Sequence, residues 1–531
     1  MTKSEEVYVR QASGLIRAVS SKEALIFNLV GMGIVINIFW IYWASAAYPD
    51  ANLVVTTLTT LPLNAIFAYT YWMLSTAMPR TGGDYIYVGR ILHPSLGFAT
   101  NFVFFVIMMS WIGWFPAVVM SEVTPILLAN LGIVTGDKGY FSLAQSLSTN
   151  MNLAFIFSVI IVILVTAIML YSPKAPIKVA LAIFAYCAFA YIWFIALNFM
   201  YGYGTFATNL QTIWNVNASD VVNLVQQKMG HAIAFSTEGT AIGLVYTMMS
   251  YIGYANSSYY ASEVSGKPEK SQALAIFGSA VIFSFIIFLL YSSMYYAYSH
   301  EFLVAASWLS VNGDPAYTLP AIPSPAHLAV FLHPDLITAV LIPSAVALTM
   351  IGFAITYFYT PIRMLFAWAF DRIFPSWVTG VTSRGVPRNA ILIGGVVGII
   401  SAYLNIYTKV LAYISYANFG WWIAVAVVEL CGAVFPFVRK DIFEASPGIV
   451  KIKAGGIPLI SIISAIGIPL SLWVSYSTIL PSFTGFPIEP IYVVSMLFVF
   501  IGAFIYWWLA YLYQKRRGIP MELLRKTLPP L

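Results

Sequence analysis

Charge is what this 531-residue chain has least of: 9% of its residues are Asp, Glu, Lys or Arg, against roughly a quarter in an ordinary soluble domain. It has two cysteines, Cys187 and Cys431, both inside apolar runs, which excludes a disulfide framework. The five histidines (His93, His231, His300, His327 and His333) lie in connectors or at segment ends without ligand spacing, so no metal centre and no cofactor is expected. No run of like charge marks a nucleic-acid surface, because the charges behind the net +6 sit in short connectors. No polar linker divides the chain. Residues 1–23 are too polar for a cleavable signal, so the first apolar segment is expected to remain as an anchor.

Apolar residues make up 60% of the chain, aromatics 16%, and mean hydropathy is +0.83. A soluble domain of this length could not hide that much apolar surface. A membrane crossing takes about 20 apolar residues, and twelve such segments are legible, at about 24–47, 51–77, 97–128, 151–172, 178–202, 241–263, 273–298, 336–370, 389–406, 410–437, 457–480 and 490–513. With the N-terminus inside, 23 of the 26 basic residues fall on the cytoplasmic side, and only Lys138, Lys228 and Lys409 fall outside. The expectation is an all-α, multi-pass plasma-membrane protein with both termini cytoplasmic. The outer connectors 129–150, 203–240 and 299–335 read as surface loops. Within the last, residues 326–334 read either as a small helix capping the outer mouth or as a loop resting on the bundle.

Three stretches carry more specific information. After segment 2 comes 78-MPRTGGDYIYVGRILHPSLGFAT-100, in which Pro79 ends the helix and Gly82-Gly83 turn the chain. Segment 6 and its exit read 250-SYIGYANSSYYASEVSGKPEKSQ-272, and the end of segment 8 reads 361-PIRMLFAWAFDRIFPSWVTGVTSRGVPRNA-390. A weaker fourth is 435-FPFVRKDIFEASPGIVKIKAGGIPLI-460. In this order they resemble the P-R-x-G-G-x-Y loop, the E-V-x-x-P exit and the R-x-x-x-A-x-A-x-D-x-x-x-P connection of the amino acid–polyamine–organocation permeases. Pro268 stands one residue later than the family pattern.

The resemblance implies a LeuT-like fold in one polytopic domain, 1–531. Residues 24–202 and 241–437 would be inverted five-helix repeats, with two peripheral helices over 457–513. Helices 1 and 6 would be discontinuous near the midplane, offering free backbone groups to an amino acid. In segment 6 this places Tyr251, Ile252, Gly253 and Tyr254 at the substrate, with Asn256 capping the half that follows. The usual glycine motif of helix 1 is absent: anchoring on Ile38-Phe39 puts Val35, Ile36 and Asn37 on the break, and anchoring on glycine spacing puts Gly31 and Gly33 there. Tyr251, Tyr254, Trp111, Trp114 and Met249 suggest an aromatic, uncharged pocket.

Ionisable residues at membrane depth are costly and invite a functional reading. Glu122 and Glu429 are the most isolated, Glu429 as a proton site or as a carboxylate held by a neighbouring helix or reaching cytoplasmic water, Glu122 as a wet rim residue. Asp84, Arg90, Glu263, Arg363 and Asp371 near the inner face read either as a gate or as static anchors. Segment 5 has Cys187 where many relatives place a lysine, and segment 8 offers Thr349 and Thr356 but no adjacent hydroxyl pair for sodium. The function implied is secondary transport of an amino acid, neutral or apolar, proton-linked or by exchange. The alternatives are a polyamine or amine permease and a non-transporting sensor of the same fold. An enzyme would need paired carboxylates, a His cluster or a nucleophile at midplane, and none is present.

Overall fold

A computed structural model describes residues 17–408, 418–481, 490–519 and 521–522. It is almost entirely helical. The helices are α1 (Ser21–Met32), α2 (Ile36–Ala47), α3 (Leu53–Ala77), α4 (Asp84–Ile91), α5 (Pro94–Val118), α6 (Thr124–Thr135), α7 (Gly139–Thr149), α8 (Met151–Tyr171), α9 (Ala175–Trp214) and α10 (Ala218–Met229). Then follow α11 (Thr237–Met249), α12 (Pro268–Gln272), α13 (Ser279–Tyr298), α14 (His300–Val311), α15 (Pro325–Leu332), α16 (Leu336–Phe370), α17 (Arg388–Tyr407), α18 (Asn418–Val438), α19 (Lys440–Ala445), α20 (Leu459–Ser477) and α21 (Pro490–Arg516). A two-residue-per-strand hairpin, Lys453–Ala454 with Ile457–Pro458, precedes α20.

Local chemistry sets the helix starts. Ser20 and Glu23 form a reciprocal capping box at α1, with Ser20 N donating to Glu23 Oε2 at 2.7 Å. Asn52 caps α3, and Asp335 Oδ1 accepts from Ile337 and Thr338 N–H at the head of α16. The turn of wider helix at Val119–Val123, just after Pro116, joins α5 to α6 as one 42-residue path. Among the described residues eleven helical stretches are long and apolar enough to cross a membrane. Most of the central windows of 21–47 and 94–135 (83% and 78%) is buried in protein, against 17% for 493–516, so the first and third stretches form the inside of the bundle and the last its rim.

The structure corrects the sequence reading at the connectors. Segment 5 continues as helix past residue 202, with a kink at Gly202, to Trp214, and residues 218–229 form α10, so 203–240 is not a surface loop. Residues 129–150 and 299–335 are likewise largely helical. Polar residues such as Thr208, Asn209 and Gln211 lower hydropathy without breaking a helix, which is why the apolar run ended before the helix did. The 326–334 patch is helical over Pro325–Leu332, and all eight residues are buried. The start of segment 10, residues 410–417, and Lys409 lie outside the described residues. Segment 6, read as 241–263, is regular helix only to Met249.

Candidate functional site

Two interruptions of helix meet inside the bundle. α1 ends at Gly33, whose φ of 74° needs no Cβ, and Ile34 and Val35 lead into α2. After α11, residues 250–255 run in turns closed by three-residue hydrogen bonds, such as Tyr254 N to Tyr251 O, and tight turns follow over 256–259 and 261–263. Gly253 has φ 121°, and a Cβ there would lie 2.5 Å from the carbonyl carbon and oxygen of Gly31. The two backbones touch because residue 253 is glycine, whereas a Cβ at Gly31 would meet Asn256 Nδ2 at 2.6 Å.

Side chains fasten the interruptions. Asn28, fully buried on α1, donates to Tyr254 O at 2.5 Å and to Ala275 O at 2.7 Å, and accepts from Ser257 N at 3.0 Å. Asn37 Oδ1 accepts from Ser250 (3.2 Å) and from the Tyr291 hydroxyl (3.1 Å). The Tyr357 hydroxyl on α16 stands 2.6 Å from Gly31 O and 3.0 Å from Ile252 O. A phenol has one proton, so these carbonyls share a single donor.

Of the residues expected at the first break, Gly33 and Val35 lie in it. Gly31 closes the last turns of α1, and Ile36 and Asn37 are already in the first turn of α2, so both ways of placing the break are corrected. One left-handed residue turns the chain, and Ile36 N bonds to Gly33 O to restart it. In the second break Tyr251, Ile252, Gly253 and Tyr254 all leave regular helix. Asn256 does not cap: its side chain makes no capping bond, and no regular helix follows until Pro268. The Ser257 and Ser262 hydroxyls bond elsewhere: Ser257 Oγ donates to Gln272 Oε1 at 3.1 Å and Ser262 pairs with Thr81.

A cavity of about 20 Å³ lies against the second break, room for about one water and none for an amino acid. Met248, Tyr251–Asn256 and Tyr259 line one side, and Asn64 and Tyr71 of α3, Met108 of α5, and Trp421, Trp422 and Val425 of α18 the rest. Neither polar atom of the Asn64 side chain has a hydrogen-bond partner, nor does Asn256 Nδ2. None of the five segment 1 candidates lines it. Beside Gly33 the space is taken by Trp111, Phe115, Phe353 and Tyr357, with ring centroids 4.8–6.3 Å apart. Trp111 also meets Trp421, Met249 sulfur accepts from Trp422 Nε1 at 2.9 Å, and Trp114 stacks away on Trp40.

The ionisable candidates sort into pairs. Arg363 and Glu263 form a two-pronged pair at 2.9 Å, with Tyr359 donating to Glu263 at 3.0 Å. Arg90 bonds Asp371 at 2.7 Å and Tyr85 donates to the same oxygen at 2.9 Å; all four charged groups are buried. Asp84 accepts from Asn101 at 3.2 Å, and burial pushes its carboxyl up to about 7 against the hydrogen bonds of Tyr259 and Asn101. Glu122, half-buried, accepts from Tyr42 at 3.3 Å. Glu429 is fully buried and accepts from Thr70 at 2.7 Å, so it does not reach cytoplasmic water. Cys187 sulfur lies 3.3 Å from Thr349 Oγ1 and 3.4 Å from Ala345 O.

A chain whose two interrupted helices touch inside a bundle of membrane-length helices, beside a small and largely aromatic cavity, invites comparison with known carriers. The family model described as "Amino acid permease" matches residues 21–488. The chain belongs to that amino acid permease family. No curated protein matches it. The permease is therefore a multi-pass membrane transporter of amino acids. Its sequence had not singled out Asn28, Asn64 or Tyr357. Each is a polar residue inside an apolar run, which is the signal that finds them.

Proposed function

We propose that the permease moves a neutral or apolar amino acid across the plasma membrane by alternating access, through twelve crossings. Segment 6 is then the twelfth, beside the eleven regular spans. Residues 24–202 and 241–437 act as the two repeats. The observation that carries this reading is the contact of Gly31 with Gly253 beside a cavity holding unpartnered amides from Asn64 and Asn256. The substrate ammonium would take carbonyls that now share the Tyr357 proton, and the amides would serve its carboxylate. The volume of about 20 Å³ makes this the closed form, so opening must precede binding. Among the described residues the cavity walls present no Lys, Arg, Asp or Glu side chain, which favours an uncharged substrate side chain.

Transport is proton-linked or an exchange. Cys187 and Thr349 face each other where a sodium ion would need adjacent hydroxyls, and a thiol is a poor sodium ligand. Counterflow of labelled leucine, alanine, arginine and putrescine in proteoliposomes tests the reading. Leucine or alanine should exchange. Exchange of putrescine alone would make the protein an amine permease, and binding without exchange a sensor. Uptake that collapses when potassium replaces sodium would overturn the coupling assignment.

A further inference from the structure

Glu429 is a carboxylate sealed in the bundle with one hydroxyl for company. Three elements meet there. Thr70 of α3 donates to Oε2 at 2.7 Å, and Ser464 of α20, 2.8 Å from Thr70 Oγ1, supplies a hydrogen bond to Thr70 in turn. Oε1 has no partner. α20 has Gly467 against the carboxyl, where a Cβ would collide with Glu429 Oε2, so the packing leaves room for this side chain and none for a partner beside it. Among the described residues no Lys, Arg or His lies within ion-pair distance of it. The titratable groups in its field are Tyr71 from α3, Tyr254 from the second break and Cys431 from its own helix, with Asp84 beyond Cys431. None is a cation.

A purely structural carboxylate at such depth has a cation or several donors, because an isolated buried charge is expensive. Glu429 has neither, yet its surroundings are shaped to fit it. It also stands next to the candidate site: Val425, one helical turn earlier on the same face, and Tyr71, the neighbour of Thr70, both line the cavity. The rings of Tyr71 and Tyr254 meet edge to face at 5.9 Å, so the carboxyl is one side chain removed from the broken segment.

We propose that Glu429 is a proton-binding site of the permease, reached from the cavity beside Tyr71 and Tyr254. A hydronium ion in the cavity gives up the proton: one of its O–H bonds breaks, the Oε1–H bond forms, and a neutral water molecule is left. Thr70 donates to Oε2 in both charge states, with Ser464 holding the Thr70 hydroxyl in that orientation. Thr70 is thus a positioning residue. Linkage of this proton to substrate movement rests on the alternating-access reading above; the proton site itself does not.

The test is infrared difference spectroscopy of the purified protein in lipid nanodiscs across a step from acid to alkaline pH, following the stretching band of protonated carboxyls. A titrating component should appear in the wild type, persist in Glu122→Gln and in Asp84→Asn, which removes a second buried carboxyl, one that titrates at about 7, and vanish in Glu429→Gln. In Thr70→Val, which keeps the carboxyl and removes its donor, the band should remain and shift in frequency. A wild-type band that Glu429→Gln leaves unaltered, one that Asp84→Asn abolishes entirely, or no titrating band at all overturns the site. An unshifted band in Thr70→Val overturns the role of Thr70. If Glu429→Gln does not yield monodisperse protein, the Thr70→Val shift decides. Absence of leucine or alanine counterflow with the band intact would count against the transport reading alone.

Discussion

At the scale of single residues, Gly253 is fixed by two independent constraints. Its φ of 121° is a region L side chains rarely adopt, and its Cα hydrogen points at the Gly31 carbonyl, where a Cβ would come within 2.5 Å. Gly253→Ala should therefore cost about 1–3 kcal/mol in backbone strain alone, and thermal unfolding in detergent should show a lower midpoint than wild type. An unchanged midpoint would mean that the two breaks do not touch. A larger side chain would separate them, so Gly253 is a poor probe of binding. Asn64→Leu is a better one: it removes two unpartnered polar atoms from the cavity wall and should weaken leucine counterflow without lowering the unfolding midpoint. Asp84 gives a pH signature. Burial raises its carboxyl from the ordinary 3.8 to about 7. Below the ordinary value both folded and unfolded states hold the proton; between the two values only the folded state does. This group's stabilising contribution is thus fully present in acid and lost as pH rises through about 7. Asp84→Asn should flatten the fall in unfolding temperature over that window, and an unaltered profile would assign the fall elsewhere.

At the scale of elements, the end of the bundle that holds the 79–84 turn is closed by pairing across distant parts of the chain. The 79–84 turn bonds the tail of segment 6, with Gly82 N to Tyr259 O at 2.9 Å, and Val19 pairs with Val264 at the start of α1. Arg363 of α16 clamps that same tail through Glu263. Breaking one partner of a buried pair costs about 3–5 kcal/mol because the other charge is stranded. Glu263→Gln should lower the unfolding midpoint more than the double variant Glu263→Gln with Arg363→Gln does; equal losses would show that the pair is not coupled. These elements also mark what the chain makes legible. Pro79, Gly82 and Gly83 announce a turn at this face, and Gly253 sits in the middle of an apolar run, so a break there is readable. Val35 hides the first break, since β-branched residues favour neither a turn nor a ligand cradle. Glycine spacing points to Gly33, whose left-handed φ of 74° ends α1 with its N–H on Leu29 O, and its close packing against Phe353 and Thr349 fixes the choice. Pairings such as Arg90 with Asp371, 281 residues apart, are invisible without the fold.

At the scale of the whole molecule, the two ends of the bundle differ in charge. One end gathers Arg90, Arg363, Arg372, Arg384 and Arg439 through contacts with Asp371, Glu263, Gln514, Tyr171 and Asp441 respectively. The other carries Lys228, paired with Asp314, among helices α10 and α14. Basic residues flanking spans stay on the cytoplasmic side during insertion, and the start of α1 and the end of α21 belong to the basic end: Glu23 feels Lys174 and Lys178, and α21 finishes with Lys515 and Arg516. The expected orientation therefore has α10, α14 and α15 outside and the loop between α16 and α17 inside. Asn312, exposed after α14, and Ser383, exposed before α17, report on the two faces. In intact cells Asn312→Cys should react with an impermeant maleimide and Ser383→Cys should react only after permeabilisation. The opposite pattern would invert the molecule, turning the sealed Glu263–Arg363 end outward. The step that admits substrate from outside would then be opening of that charged end, and not movement of α15, whose Ser324 hydroxyl bonds Ile38 O on α2 at 2.9 Å.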